Sequence, residues 1–150
     1  MTTPVTDLTK RPPRSTRTRL GGYILLPRMI DKGRAEIAGK SGEYHFNCPL
    51  DQRILAFLGI EADALKTELA KGKGDGEILE WIQATQKNKH TPANIEAWSE
   101  EQGKRGPDAE SQEFFDELRK AAGPHRTDIK TWADLLDLDD YVTLDRKSVV

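Results

Sequence analysis

Cysteine, long apolar runs and apolar residues in general are scarce in this sequence. Its 150 residues include one cysteine, Cys48, so no disulfide can form within the chain, which favours a reducing compartment. No apolar run approaches the ~18 residues of a membrane span, and no basic-then-apolar leader is visible. With an apolar fraction of 36%, we expect a cytoplasmic globular protein with a small core.

Charge is nearly balanced in total but unevenly distributed along the chain. The 23 basic and 25 acidic residues give a net charge of −2, yet residues 1–40 hold nine basic and only three acidic residues. The remaining residues therefore carry a net negative charge. A basic segment of this kind can bind phosphates, or it can fold back onto its own acidic body.

Proline and glycine positions predict the organisation of the chain. Residues 1–19 contain three prolines and few apolar residues, so we expect a flexible basic arm there. Residues 20–150 are expected to form a single helical domain. Apolar residues recur at helical spacing in about seven short segments, each closed by glycine or proline, and no parallel-sheet pattern appears. The predicted fold is therefore an all-α, compact bundle of about seven short helices.

Three details of that bundle can be checked directly. Cys48-Pro49 is expected to open a helix that ends at Gly59. Asp108 is expected to start a helix on which Phe114, Phe115, Leu118 and Ala122 share one face. The segment from Tyr141 to Leu144 is expected to be a short extended tail.

The stretch around Cys48 contains the candidate catalytic residues. If Pro49 is the first helical residue, the Cys48 sulfur faces the positive end of the helix, a recurrent setting for reactive cysteines. His45, three residues upstream, could accept the thiol proton, and Asp51 could reach back to the cap backbone or orient His45. The alternative is that Cys48 is a small buried hydrophobe and Asp51 an ordinary first-turn helix residue.

Metal and phosphate sites are less well supported. His45 and Cys48 supply only two ligands, and His90 and His125 are isolated, so no metal site is predicted. Residues 71–77 alternate glycine with lysine before a helix start, like a phosphate cradle, but lack the ending of a P-loop. A helix end joined to a helix start explains the segment without a ligand. No cofactor is expected.

Several short motifs occur together in a fixed order. They occupy residues 20–23, 26–32, 42–44, 47–51, 57–60 and 78–82. In these motifs the chain resembles a bacterial domain-of-unknown-function family of about this length, one of the families numbered in the five-thousands. The resemblance covers roughly residues 12–140. It implies a stand-alone cytosolic bacterial protein, and it brings no activity, cofactor or catalytic residue to this chain.

The same motifs concentrate polar and reactive residues in two neighbouring segments. A helix from Pro27 to Ala38, followed by a short return, could bring these segments to one side of the bundle as a polar pocket. The candidate ligand-binding residues are Tyr23, Arg28, Asp31, Lys32, Tyr44 and Asn47.

Three functions follow from these observations. The first is a non-catalytic binding or interaction module that holds a small anionic molecule or a protein near Arg28 and His45. The second is a thiol-dependent enzyme or redox-responsive protein that uses Cys48 with His45. The third, which the lack of aromatic residues in the arm makes unlikely, is a nucleic-acid accessory protein that uses the basic arm. The sequence leaves the oligomeric state open.

Overall fold

Seven helices make up most of the computed structural model, which describes residues 4–148. A short antiparallel hairpin, β1 (Arg19–Leu20) and β2 (Tyr23–Ile24), pairs Arg19 with Ile24 and comes first. The helices follow as α1 (Leu26–Ile37), α2 (Pro49–Leu58), α3 (Ala62–Leu69), α4 (Asp75–Thr85), α5 (Pro92–Lys104), α6 (Gln112–Ala122) and α7 (Trp132–Ser148). The predicted all-α fold is confirmed. Within residues 4–148, no helix is both long and apolar enough to cross a membrane.

Proline and glycine set the helix boundaries where the sequence predicts them. Cys48 is the N-cap of α2 with Pro49 directly after it, and Gly59 ends that helix in the left-handed region at φ 74°. A residue with a Cβ is disfavoured in that conformation, so glycine stops the helix there. Thr91 caps α5 by accepting a hydrogen bond from the backbone N–H of Asn94 at 3.2 Å.

Helix α1 lies at the centre of the molecule, and every residue from Leu26 to Ala35 is buried. Four of these buried residues are charged, which is costly unless each one is paired. Each of these charged side chains forms an ion pair with an oppositely charged side chain from another segment of the chain. The pairs are Arg28 with Asp140, Asp31 with Arg14, Lys32 with Asp51, and Arg34 with Asp75.

The buried apolar side chains form two cores of unequal size. The larger joins the hairpin to helices α1–α4, with Trp81 and Trp98 packed against it as anchors. The smaller lies between α6 and α7 and consists of Phe115, Ile129 and Leu135 with two partly buried neighbours. A cavity remains between the larger and the smaller core.

The segment expected to be a flexible arm instead lies against the helical body in residues 4–19. Leu8 is fully buried, and its backbone N–H donates to the Lys40 carbonyl at 2.9 Å. Arg14, Arg17 and Arg19 each form an ion pair with an acidic residue of the body. The uneven charge distribution is the physical reason, because a basic segment and an acidic body attract each other.

Two further expectations about the last helices were wrong. Residues 141–144 belong to α7 rather than to an extended tail. Helix α6 begins at Gln112 and not at Asp108, because the Asp108 carboxylate accepts hydrogen bonds from the Ser111 backbone and hydroxyl and holds a turn. Of the four apolar residues expected to share one face, only Phe115 is buried. The smaller core covers just that one side chain.

Truncation of Leu8 tests whether the first segment, residues 4–19, is anchored to the helical body. Leu8→Ala should lower the free energy of unfolding by about 2–5 kcal/mol, the usual cost of removing a buried leucine side chain. Urea unfolding followed by circular dichroism measures the change. Ile37→Ala, which truncates an exposed side chain of the same size, is the control and should change little. An equally small effect at Leu8 would mean that the segment is loose in solution.

Candidate ligand-binding cavity

A cavity of about 630 Å³ opens at the boundary between the two cores. One wall comes from α1, the loop before α2, and α2 itself, and it is largely polar. The other wall comes from α6 and α7 and is largely apolar. Small-molecule sites typically combine this size with a mostly apolar lining and a few converging polar groups.

Arg28 lines the cavity and forms a buried ion pair with Asp140. The guanidinium donates two hydrogen bonds to the carboxylate, at 2.7 and 3.1 Å, and both side chains are less than one-tenth exposed. The Tyr44 hydroxyl donates to the same carboxylate at 2.9 Å, and the Arg28 guanidinium lies 5.6 Å from the Tyr44 ring centre. This arrangement fixes α7 against α1 through a bidentate charged pair.

The protonation states of this cluster follow from its burial and its charges. Burial and the neighbouring Asp140 carboxylate raise the pKa of Tyr44, so its hydroxyl keeps the proton that it donates. Burial alone would lower the pKa of Arg28, but the hydrogen bonds and charge of Asp140 outweigh it and raise that pKa. Arg28 is therefore a permanent cation whose charge is already compensated.

Lys32 joins the two candidate reactive residues. Its ammonium lies 2.9 Å from the Asp51 carboxylate and 3.2 Å from the Cys48 sulfur. Asp51 also accepts a hydrogen bond from the backbone N–H of Asn47 at 3.0 Å, so it reaches back to the residue before the helix cap. Asn47 is held in the left-handed region at φ 63°, which turns the chain sharply before Cys48.

His45 and Cys48 both line the cavity. In the described part of the chain, His45 makes no hydrogen bond to Cys48, whose sulfur accepts from Lys32 instead. The structure therefore does not form the cysteine–histidine pair that the sequence spacing suggested.

The apolar wall consists of side chains that the smaller core leaves uncovered. Phe114 is 57% exposed and Leu118 is 39% exposed. This exposure is unexpected because the chain has few apolar residues with which to build a core. Trp132 and Leu136 face the same cavity from α7. The Trp132 ring contacts Phe115 edge-on at a centroid distance of 5.0 Å, which ties this wall to the smaller core.

Two arginines, Arg53 and Arg105, complete the polar side of the cavity. Arg53 donates to the Gln102 side chain at 2.8 Å, and the Arg105 guanidinium lies 6.0 Å from the Trp132 ring centre. Among the described side chains, no carboxylate forms an ion pair with either arginine. Burial, followed by the charge of Arg53, lowers the pKa of Arg105. Two like charges therefore lie at the cavity, and neither has an ion-pair partner among the described side chains.

The cavity gathers about half of the residues proposed from the sequence. Its lining includes Arg28, Lys32, Tyr44, His45 and Cys48, and Asp51 lies directly behind Lys32. These residues converge because α1 and the start of α2 lie side by side, joined by the Lys32–Asp51 pair.

The other three proposed residues lie elsewhere. Tyr23 is buried in the larger core, where its ring meets Phe57 edge-on. Asp31 pairs with Arg14, and its carboxylate does not line the cavity. Asn47 lines a different, shallower depression. None of the three lines the cavity.

The sequence analysis missed Arg53, Arg105 and the whole apolar wall. The available signal was on α6, where Phe114 and Phe115 are adjacent and so point about 100° apart from the helix axis. A core of only a few residues covers one such direction better than two. The arginines gave no comparable signal, since isolated basic residues on short helices are common on surfaces.

The glycine-rich segment before α4 has structural partners for its charges. Lys71 and Lys73 both pair with Glu68, and Asp75 binds Arg14 and Arg34. Gly74 forms the N-cap of α4. Within the described residues, no three histidine, cysteine, aspartate or glutamate side chains are placed to hold a metal ion.

Comparison with known protein families covers most of this fold. A family model of a domain of unknown function matches residues 10–142, which is most of the chain. The protein belongs to the DUF5069 family. That assignment confirms the resemblance seen in the motifs, and the DUF5069 match spans both cores and every residue of the cavity except Thr143. A search of curated proteins found no match.

Removal of the Asp140 charge should be strongly destabilising. Asp140→Asn leaves the Arg28 cation buried without an anion, and we expect unfolding to become easier by about 3–5 kcal/mol. Chemical denaturation measures the loss. Asp128→Asn, which disrupts the exposed pair with Arg126, is the matched control and should change little.

A double variant separates the charge effect from lost packing. Arg28→Met with Asp140→Leu removes both charges and should be more stable than Asp140→Asn alone. If Asp140→Asn is no more harmful than the Asp128 control, the pair does not hold α7 on α1.

Proposed function

We propose that this protein is a non-catalytic binding module that holds a small anionic ligand in the cavity between the two cores. The observation that carries this proposal is that Arg53 and Arg105 have no ion-pair partner among the described side chains and lie beside an exposed apolar wall. A bound anion would compensate both cations, and its apolar part would cover Phe114 and Leu118. One ligand would then satisfy both features.

The state of the other polar groups supports binding rather than catalysis. Arg28 and Lys32 already have carboxylate partners, and Tyr44 uses its proton in the contact with Asp140. These groups hold helices together. A catalytic base needs a group that can exchange its proton near the working pH, and a nucleophile needs such a base within hydrogen-bond reach.

The thiol-dependent alternative rests on the contact between Lys32 and Cys48. An ammonium 3.2 Å from the sulfur of a helix N-cap is an environment typical of reactive cysteines. The alternative ranks second because His45 makes no hydrogen bond to that sulfur. It would need a substrate or water to supply the missing proton transfer.

The nucleic-acid alternative ranks third on electrostatic grounds. Arg14, Arg17 and Arg19 would have to leave their carboxylate partners to bind phosphates. The acidic side chains left behind would then repel the same phosphates.

Titration with 1-anilinonaphthalene-8-sulfonate tests the binding function, because this probe combines one negative charge with aromatic rings. We expect saturable binding to the folded protein, read from the rise in probe fluorescence. Leu118→Glu places a negative charge on the apolar wall and should weaken binding at least about tenfold, or about 1.4 kcal/mol. Leu118→Gln, which has a similar size and no charge, should weaken it less.

A control outside the cavity guards against non-specific binding. Ile37 is an exposed apolar residue of α1 that does not line the cavity, so Ile37→Glu should leave the affinity unchanged. Equal losses from Leu118→Glu and Ile37→Glu, or no loss from either, would contradict the proposed function.

A further inference from the structure

The chemical class of the ligand can be inferred from the charges around Arg53 and Arg105; this step rests on the proposed function. Arg53 lies on α2, and Arg105 directly follows α5, so two separate elements place two guanidinium groups at one cavity. The charge of Arg53 is felt at Arg105 strongly enough to lower the pKa of that residue, after burial the second cause. Like charges brought together are unfavourable without an anion.

The charge of Asp108 does not remove this repulsion. Asp108 favours the charged form of Arg105, but its carboxylate accepts hydrogen bonds from Ser111 and forms no ion pair with Arg105. The planar guanidinium group matches the two oxygens of a carboxylate or similar anion. Arg53 uses its Nε for Gln102 and keeps its outer nitrogens for such a contact.

The number of negative charges on the ligand is limited by the same cavity. Two carboxylates, those of Glu43 and Asp139, also line it. A dianion would meet repulsion from these side chains, whereas a single negative charge placed between the two arginines is the better match.

The apolar wall indicates what is attached to the charge. Phe114 and Leu118 are four residues apart on α6, and Trp132 and Leu136 are four apart on α7. Residues at this spacing lie one above the other on a helix, with Cβ atoms about 5–6 Å apart. Each helix therefore presents a two-residue apolar stripe to the cavity, which suits an extended apolar chain better than a compact polar body.

We propose that the ligand is an amphipathic monocarboxylate, a carboxylate bound by Arg53 and Arg105 and joined to an aliphatic chain that lies against α6 and α7. Its carboxylate supplies the missing anion, and its chain buries the exposed side chains of the apolar wall. A cavity of about 630 Å³ is in the size range of small-molecule sites.

A series of four probes separates the contributions of charge and chain. Decanoate, used below its micelle concentration, should bind in isothermal titration calorimetry. 1-Decanol, which has the chain without the charge, should bind at least about tenfold more weakly. Acetate and inorganic phosphate, which lack the chain, should show no measurable binding at the concentrations that saturate decanoate.

Arginine variants test the head-group contact. Arg53→Gln and Arg105→Gln should each weaken decanoate binding about tenfold and leave decanol binding unchanged. Arg105→Lys keeps the charge but loses the planar guanidinium, so it should bind decanoate more tightly than Arg105→Gln and less tightly than the unchanged protein. Arg126→Gln, at an exposed arginine outside the cavity, is the matched control and should bind decanoate normally. Because Arg53 is exposed, its variant tests the contact even if Arg105→Gln fails to fold.

The possible failures can be told apart. If the naphthalene sulfonate binds as described but decanoate neither binds nor displaces it, the ligand class is wrong and the binding function stands. If decanol binds as tightly as decanoate, the arginines do not hold the charge. If phosphate binds as tightly as decanoate, the apolar wall is not part of the site. If neither the sulfonate nor decanoate binds, the proposed function itself is wrong.

Discussion

The burial of four charged side chains on α1 is the constraint on which the rest of the structure depends. Arg28, Asp31, Lys32 and Arg34 are each less than one-tenth exposed. Leaving one such charge without a partner costs several kcal/mol, a large part of the stability of a small domain. Each side of α1 must therefore be covered by a segment that brings the opposite charge. The first segment, α2, α4 and α7 all do so.

The cavity is a consequence of the same arrangement. The Arg28–Asp140 pair holds α7 on α1, while Arg17 ties α7 to the first segment through Asp134 and Asp137. These polar contacts fix α7 without filling the space around it. The smaller core then covers Phe115 and leaves Phe114 and Leu118 facing the gap. Arg53 and Arg105 lie outside the network of pairs, and this distinguishes them from the other cations at the cavity.

Local sequence signals predict much of the fold, such as where helices begin and end. They do not predict which charged residues form ion pairs with one another. Cys48-Pro49 and Gly59 predict the limits of α2 because capping depends on neighbouring residues. The candidate site is partly predictable for the same reason, since Arg28, Lys32, Tyr44, His45 and Cys48 lie on consecutive elements. The partner of Arg28 is 112 positions away, and nothing local identifies Asp140 among the acidic residues of α7. Tyr23 shows the opposite error, because a polar hydroxyl does not keep an aromatic ring out of a core.

The most direct test of the proposed anion site is an NMR titration that follows the Nε–Hε signals of the individual arginines as decanoate is added. Those of Arg53 and Arg105 should shift together and saturate at one ligand per protein. Those of Arg14 and Arg28, which already have carboxylate partners, should remain in place. Saturable shifts at Arg28 with none at Arg53 and Arg105 would contradict this account, because the anion would then bind to the paired arginine rather than to the two that have no ion-pair partner among the described side chains.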